Sequence, residues 1–125
     1  MRINSFEDVQ SWRIGKELYL DLSEDFKNSK DYIFKDQLLR ATLSITNNIA
    51  EGFDRGSDKE LRQFLIISRG SCAEVRSMLH IAYADKKLDN QKYKKYLGMT
   101  TDISKLLTGF IKKLTTGDKS QATRP

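Results

Sequence analysis

Residues 57–82 read SDKELRQFLIISRGSCAEVRSMLHIA, and within them Leu61, Leu65, Ser68, Cys72, Val75, Leu79 and Ala82 fall at alternating spacings of four and three. Three unbroken heptads of small and apolar side chains lay one continuous stripe along an α-helix. That rhythm is the seam of near-parallel helices crossing at about 20°. The stretch carries its own start signal, because Ser57-Asp58-Lys59-Glu60 has the S-x-x-E form of a capping box. Gly70, in the middle of the run, costs roughly 1 kcal/mol against alanine in a helix interior, which predicts a close helix approach there.

Outward from this helix the same rhythm returns three times. Downstream, Asp89 opens a segment in which Tyr93, Tyr96, Thr100, Ile103, Leu107, Phe110 and Leu114 recur at three and four. Upstream, Phe34, Leu38, Ala41, Ile45, Ile49 and Phe53 form a second-helix stripe, with Gly52 and Gly56 flanking its end. Trp12, Tyr19, Leu22 and Phe26, with Val9 and Leu18 beside them, form a first-helix stripe. Ser5 and Asp8 have the form of a capping box at its start, and Asn28-Ser29-Lys30-Asp31 reads as the turn that follows. No useful length alternates with period two, and the only proline is Pro125, so nothing breaks the helices.

The expected fold is therefore all-α, an antiparallel up-and-down four-helix bundle with helices at about 6–28, 32–54, 58–86 and 90–115. One domain spans 1–116. The last residues, 117–125, hold no large apolar side chain and read as a disordered tail. Helices of about 22 to 29 residues would make rods roughly 33 to 43 Å long, so the bundle should be elongated.

A chain of 125 residues suits a single core. Charges interrupt every apolar segment well short of the roughly 18 to 20 residues that span a bilayer, and the opening MRINSFEDVQ has no apolar signal-peptide run. One cysteine, Cys72, excludes an intramolecular disulfide. These features point to a protein of the reducing cytoplasm with no membrane partner. The formal net charge of +5 is uneven: residues 1–85 hold 12 Lys and Arg against 14 Asp and Glu, whereas residues 86–125 hold 10 against 3. Such asymmetry suggests a surface for a polyanion.

Catalytic chemistry finds little material. His80 and Cys72 have no partner in sequence, and both read as structural, Cys72 as a small apolar group on its seam. Gly52, Gly56, Gly70, Gly98, Gly109 and Gly117 build no phosphate-cradling motif. A bundle-core di-metal site needs Glu-x-x-His pairs, and no Glu stands three residues before His80. No catalytic residue, cofactor or metal site is expected, and the chain does not read as an enzyme. A polar row does stand out inside helix two, where Arg40, Ser44, Asn47, Asn48, Glu51 and Arg55 recur beside the apolar face, answered in helix three by Arg62, Arg69 and Glu74. Asparagine and serine are poor helix formers, so the row reads either as a solvated face or as a subunit interface built on specific hydrogen bonds.

The stretch from Gln37 to Phe53, QLLRATLSITNNIAEGF, closely resembles the signature of the 23S rRNA intervening-sequence proteins, also called the S23 or four-helix-bundle protein family. The likeness continues in Phe6-Glu7-Asp8 with Trp12, in Arg55-Gly56-Ser57 with Glu60 and Phe64-Leu65, and in Gly70-Ser71-Cys72-Ala73-Glu74, covering about residues 5–115. The sequence departs from the family pattern at Thr46-Asn47, where proline then serine is usual, and at Leu39, where an arginine is common. The resemblance implies an antiparallel four-helix protomer that assembles into a ring, typically a homopentamer, encoded within an insertion in a bacterial rRNA gene. A related branch comprises the accessory variability determinants of diversity-generating retroelements, basic pentameric barrels that bind nucleic acid and a reverse transcriptase. Neither branch implies an enzyme.

Charge and resemblance together give an oligomeric module binding RNA or DNA, with Lys86, Lys87, Lys92, Lys94, Lys95, Lys105, Lys112 and Lys113 as phosphate contacts. Tyr93 and Tyr96 could stack on bases, although their seam positions read as core. The alternative is a protein-interaction scaffold, or a reverse-transcriptase accessory protein, in which the lysines only solubilise. Arg40, Ser44, Asn47, Asn48, Glu51, Arg55, Arg69 and Glu74 are the candidate subunit contacts.

Overall fold

The computed structural model describes residues 5–115. The tail expected at 117–125 lies outside the described residues. Within them, α1 runs Gln10–Phe26, α2 Tyr32–Asp54, α3 Asp58–Ala84 and α4 Asn90–Thr115, with a 3-10 turn at Phe6–Asp8 and no strand. Each helix packs on its neighbour in sequence, and α1 closes the square against α4. Cross-helix pairs run in opposite senses along every seam they mark: Gln37 with Glu74 and Ser44 with Ser71, Arg62 with Thr115 and Arg76 with Thr101, Asp21 with Lys95 and Asp25 with Lys92. The fold is the all-α antiparallel four-helix bundle that the seam spacing predicts.

Capping residues set three of the helix starts. Ser57 Oγ accepts from the Glu60 N–H at 3.2 Å, the N-cap bond of the expected box, and donates to Glu60 Oε1 at 3.0 Å, so the two side chains of the S-x-x-E signal also bond to each other. Asp31 accepts from the Phe34 N–H at 3.2 Å and Asp89 from the Lys92 N–H at 2.8 Å. Each cap is worth about 1 kcal/mol.

Three helix ends differ from expectation, the simplest being the end of α1, which stops at Phe26 rather than at 28. Ser5 and Asp8 do not cap α1: the Ser5 hydroxyl donates to the Asp8 carboxylate at 3.4 Å, the chain makes only a 3-10 turn, and extended Val9 precedes the helix proper. Aspartate is one methylene shorter than the glutamate of a full box. Arg13 takes over by reaching back, donating from Nε to the Glu7 carbonyl at 3.0 Å and from Nη2 to the Asp8 carbonyl at 3.1 Å. At the other end, α3 stops at Ala84 rather than at 86, because Lys86 turns into the left-handed region with φ 60°. The Lys87 N–H then reaches the Ala82 carbonyl at 2.8 Å and the Lys86 N–H the Tyr83 carbonyl at 3.1 Å, which is a Schellman ending.

The core is a column of Leu18, Leu22, Leu38, Ile45, Ile49, Leu65, Val75, Leu79, Ile103 and Leu107, all fully buried. Each contributes about 1.5–3 kcal/mol of transfer free energy. On α1 the buried line is Ser11, Gly15, Leu18, Leu22 and Phe26, so the face is rotated from the Trp12 and Tyr19 stripe, and both aromatics flank the core half-buried. Gly15 explains the rotation: a Cβ there would meet Thr46 Cγ2 at 2.9 Å, so α1 approaches α2 where no side chain intervenes. Gly70 does not behave this way. Nothing lies within 4 Å of a Cβ built on it, and the close approach expected there is found instead at Gly52, whose Cβ would meet Phe64 Cβ at 2.9 Å. Buried hydroxyls on Thr42, Thr46, Ser68 and Thr100 all donate to helix carbonyls, at 2.7, 3.0, 2.8 and 2.7 Å. Among the described residues no helix is long and apolar enough to cross a membrane.

Candidate nucleic-acid interface

The eight candidate lysines do not form one surface. Lys87, Lys92 and Lys95 are spent on carboxylates of other elements. Lys87 pairs with Asp85 and, at 3.4 Å, with the α2 cap Asp31, and its ammonium lies 5.4 Å from the Phe34 ring centroid. Lys92 meets Asp25 at 2.6 Å and Lys95 meets Asp21 at 3.2 Å, both across the α1–α4 seam. Hydrogen bonding to Asp85 and to Asp25 raises the ammonium pKa of Lys87 and of Lys92 respectively, so both stay charged but locally neutralised. Lys86, Lys94, Lys105 and Lys112 are exposed and make no side-chain ion pair or hydrogen bond among the described residues. Lys113 is exposed in the last turn of α4.

The polar row of α2 also divides. Ser44 and Asn48 work inside the protomer, Ser44 Oγ lying 2.8 Å from Ser71 Oγ while Asn48 Nδ2 donates to the Ser44 carbonyl at 2.7 Å and to Ser44 Oγ at 2.9 Å. Glu74 accepts from Gln37 Nε2 at 2.8 Å on the same seam. Arg55 pairs with Glu51 at 3.6 Å and lies 5.0 Å from the Phe64 ring centroid. Arg40 and Asn47 are exposed, and Asn47, Asn48 and Glu51 line a shallow depression with Phe6 and Asp54.

Arg69 belongs to a different feature, which only the structure makes plain. Arg62, Arg69 and Arg76 stand seven residues apart on α3, and Thr115, Thr108 and Thr101 stand seven apart on the antiparallel α4. Arg62 Nε donates to Thr115 Oγ1 at 2.6 Å, Arg69 Nη1 to Thr108 Oγ1 at 3.3 Å and Arg76 Nη1 to Thr101 Oγ1 at 2.7 Å. Arg76 Nη1 also reaches Thr100 Oγ1 and the Leu97 carbonyl, at 3.0 and 3.3 Å. The result is a ladder of three rungs along the α3–α4 seam. No carboxylate among the described residues pairs with any of the three guanidiniums, so their charges are positioned without being cancelled. Each guanidinium has five N–H donors and leaves most of them unused.

The next heptad position on α3 after Arg76 is Tyr83. Its ring stacks on Tyr93, centroids 4.1 Å apart and planes 5° from parallel, and His80 Nδ1 lies 2.8 Å from the Tyr93 hydroxyl. Tyr93 is thus half-buried in an aromatic stack, whereas Tyr96 is core, with its hydroxyl on Asp25. Cys72 is buried, and burial pushes its thiol up to about 11, against the opposing charge of Arg76. It is therefore a packed thiol that stays protonated at neutral pH. Among the described residues no three His, Cys, Asp or Glu side chains cluster as a metal site would require.

Four antiparallel helices around one apolar column, with a polar seam between α3 and α4, define a four-helix-bundle protein. The chain belongs to the 23S rRNA-intervening sequence protein family, which it matches over residues 7–109. Among solved structures it is similar to a protein of unknown function from the S23 ribosomal protein family of Bacteroides thetaiotaomicron, at 22% identity and a TM-score of 0.76, over 82% of this chain and 98% of that one. That likeness is one of fold. No curated protein matches the chain.

Proposed function

We propose that this chain is a non-enzymatic, cytoplasmic, homo-oligomeric protein that binds nucleic acid through the α3–α4 face. The observation that carries the reading is the set of uncancelled cations on that face: the Arg62, Arg69 and Arg76 guanidiniums held by hydroxyls, with unpaired Lys94, Lys105 and Lys112 on the adjoining side of α4. A structural role alone would favour carboxylate partners, which the same protein uses freely on its α1–α4 seam. The chemistry of such a face is phosphate binding by point charges and forks, strong at low salt and blind to sequence. Membership of a family associated with rRNA genes agrees with it. Self-association is supported by Ile33, Ile67 and Ile81, which are 86%, 51% and 55% exposed, the latter two aligned two heptads apart on α3. The family resemblance supports a homopentameric ring as the form of that association.

Fluorescence anisotropy with a labelled RNA and a labelled DNA of about 20 nucleotides tests the reading. Affinity should fall steeply between low and moderate salt, and Lys94→Gln, Lys105→Gln and Lys112→Gln together should flatten that slope by about three charges' worth. Absence of binding to either probe at low ionic strength would overturn it.

A further inference from the structure

We infer that the α3–α4 face is a track for single-stranded nucleic acid, with phosphates along the arginine ladder and an unpaired base on the Tyr83–Tyr93 stack. The inference rests on the nucleic-acid reading above and specifies the strand state of the partner. Its basis is alignment. Arg62, Arg69, Arg76 and Tyr83 occupy successive heptad positions of one helix face, so the aromatic platform is the fourth member of the same row as the cations. Seven residues rise about 10 Å, which makes the row roughly 30 Å long. On α4, Lys105 falls between the levels of Thr101 and Thr108, and Lys112 between those of Thr108 and Thr115. Cations therefore recur about every 5 Å between Arg76 and Arg62, counted along the helix axes.

The platform decides the strand state. Tyr93 covers one face of Tyr83, and His80 fixes the Tyr93 hydroxyl, so the stack is held from below. Tyr83 remains 40% exposed, which leaves its second face for a ligand. A ring face binds the face of a base, and a duplex buries its base faces in its own stack, offering only edges and phosphates. An aromatic in line with phosphate-binding arginines is useful only to a strand whose bases are free. Most nearby carboxylates are engaged elsewhere: Glu74 by Gln37 on the α2 side of α3, Asp25 and Asp21 by Lys92 and Lys95 on the α1 side of α4, and Asp85 by Lys87, while exposed Asp102 stands beside Thr101 on α4 and three residues before Lys105.

The test compares oligouridylate and oligothymidylate, each alone and as a duplex with its complement, against the full chain and three variants. The full chain should bind single strands about tenfold more tightly than duplexes. Tyr83→Leu, which keeps an apolar contact with Tyr93 but has no ring, should lose that preference while duplex affinity is unchanged. Tyr83→Phe should retain it. Tyr83→Ala, checked by thermal melting to be folded, should behave as Tyr83→Leu. Equal affinity for single strands and duplexes, or a preference that survives in Tyr83→Leu, overturns this inference and leaves the nucleic-acid reading standing. Failure of every probe to bind overturns both. A preference shared by the two single strands assigns the site to stacking and phosphate alone, whereas one confined to oligouridylate adds recognition of the 2′-hydroxyl to the track.

Discussion

The Tyr96 hydroxyl donates a hydrogen bond to the Asp25 carboxylate across the α1–α4 seam, and Lys92 holds the other oxygen of that carboxylate at 2.6 Å. Burial by itself pulls the Asp25 carboxyl up, but the hydrogen bonds from Lys92 and Tyr96 and the charges of Lys92 and Lys95 outweigh it and hold the pKa below its ordinary 3.8. The unfolded chain therefore binds more protons than the folded one in this window. The stabilisation is complete above the ordinary value and is lost as pH falls through the lowered one.

Tyr96→Phe should cost about 1.5–3 kcal/mol at neutral pH, the worth of one hydrogen bond to a charged acceptor. The gap from the native chain should narrow only as pH falls below the ordinary carboxyl value of 3.8 and through the lowered pKa of Asp25, where its carboxylate is lost in the native chain as well. Urea unfolding at neutral and acid pH reads this directly.

Gly70 and Gly52 should respond oppositely to alanine. At Gly70 the added methyl meets open space, so Gly70→Ala should stabilise by about 1 kcal/mol through helix propensity. At Gly52 it meets Phe64 Cβ and Leu61 Cδ1 at 2.9 and 3.0 Å, so Gly52→Ala should destabilise by about 1–3 kcal/mol. Two thermal melts suffice.

Lys86 spends its backbone on a left-handed turn that glycine occupies without strain. Replacing it by Gly should raise stability by about 1 kcal/mol and leave RNA affinity almost unchanged, since Lys86 lies outside the arginine row. Anisotropy and melting on one variant check both parts.

Asn48→Ala removes two hydrogen bonds to Ser44 within the protomer. It should lower protomer stability by about 1 kcal/mol. Size-exclusion light scattering on the folded variant should find the oligomer intact, which separates this seam role from a subunit contact.

The fold was legible because its signals are local. Caps at Ser57 and Asp89 and seam positions on α2, α3 and α4 depend on residues three or four apart, within reach of one helix's own geometry. The face of α1 was not, since its rotation depends on Gly15 meeting a threonine of another helix. The candidate site was legible only in part for the same reason. Counting lysines in the last third of the chain cannot tell Lys92 and Lys95, whose carboxylates lie on α1, from Lys94 and Lys105. Arg62 and Arg69 stood out as polar positions, but the row became visible only with Arg76 and with threonines at 101, 108 and 115, a polar heptad matched on two helices. Reading heptads for polar as well as apolar residues would have found it.

The rungs at Arg62, Arg69 and Arg76 also act as a vernier between two rods. A slip of α4 by one residue would move its hydroxyls about 1.5 Å along and 100° around and break at least two of the three rungs, with a threonine of the Thr100-Thr101 or Thr115-Thr116 pair filling the third, while a slip of seven would restore two. The spacing therefore penalises every small slide of one helix past the other and fixes their register. An insertion or deletion within either rod keeps the pairing on both sides of it only when its length is a multiple of seven.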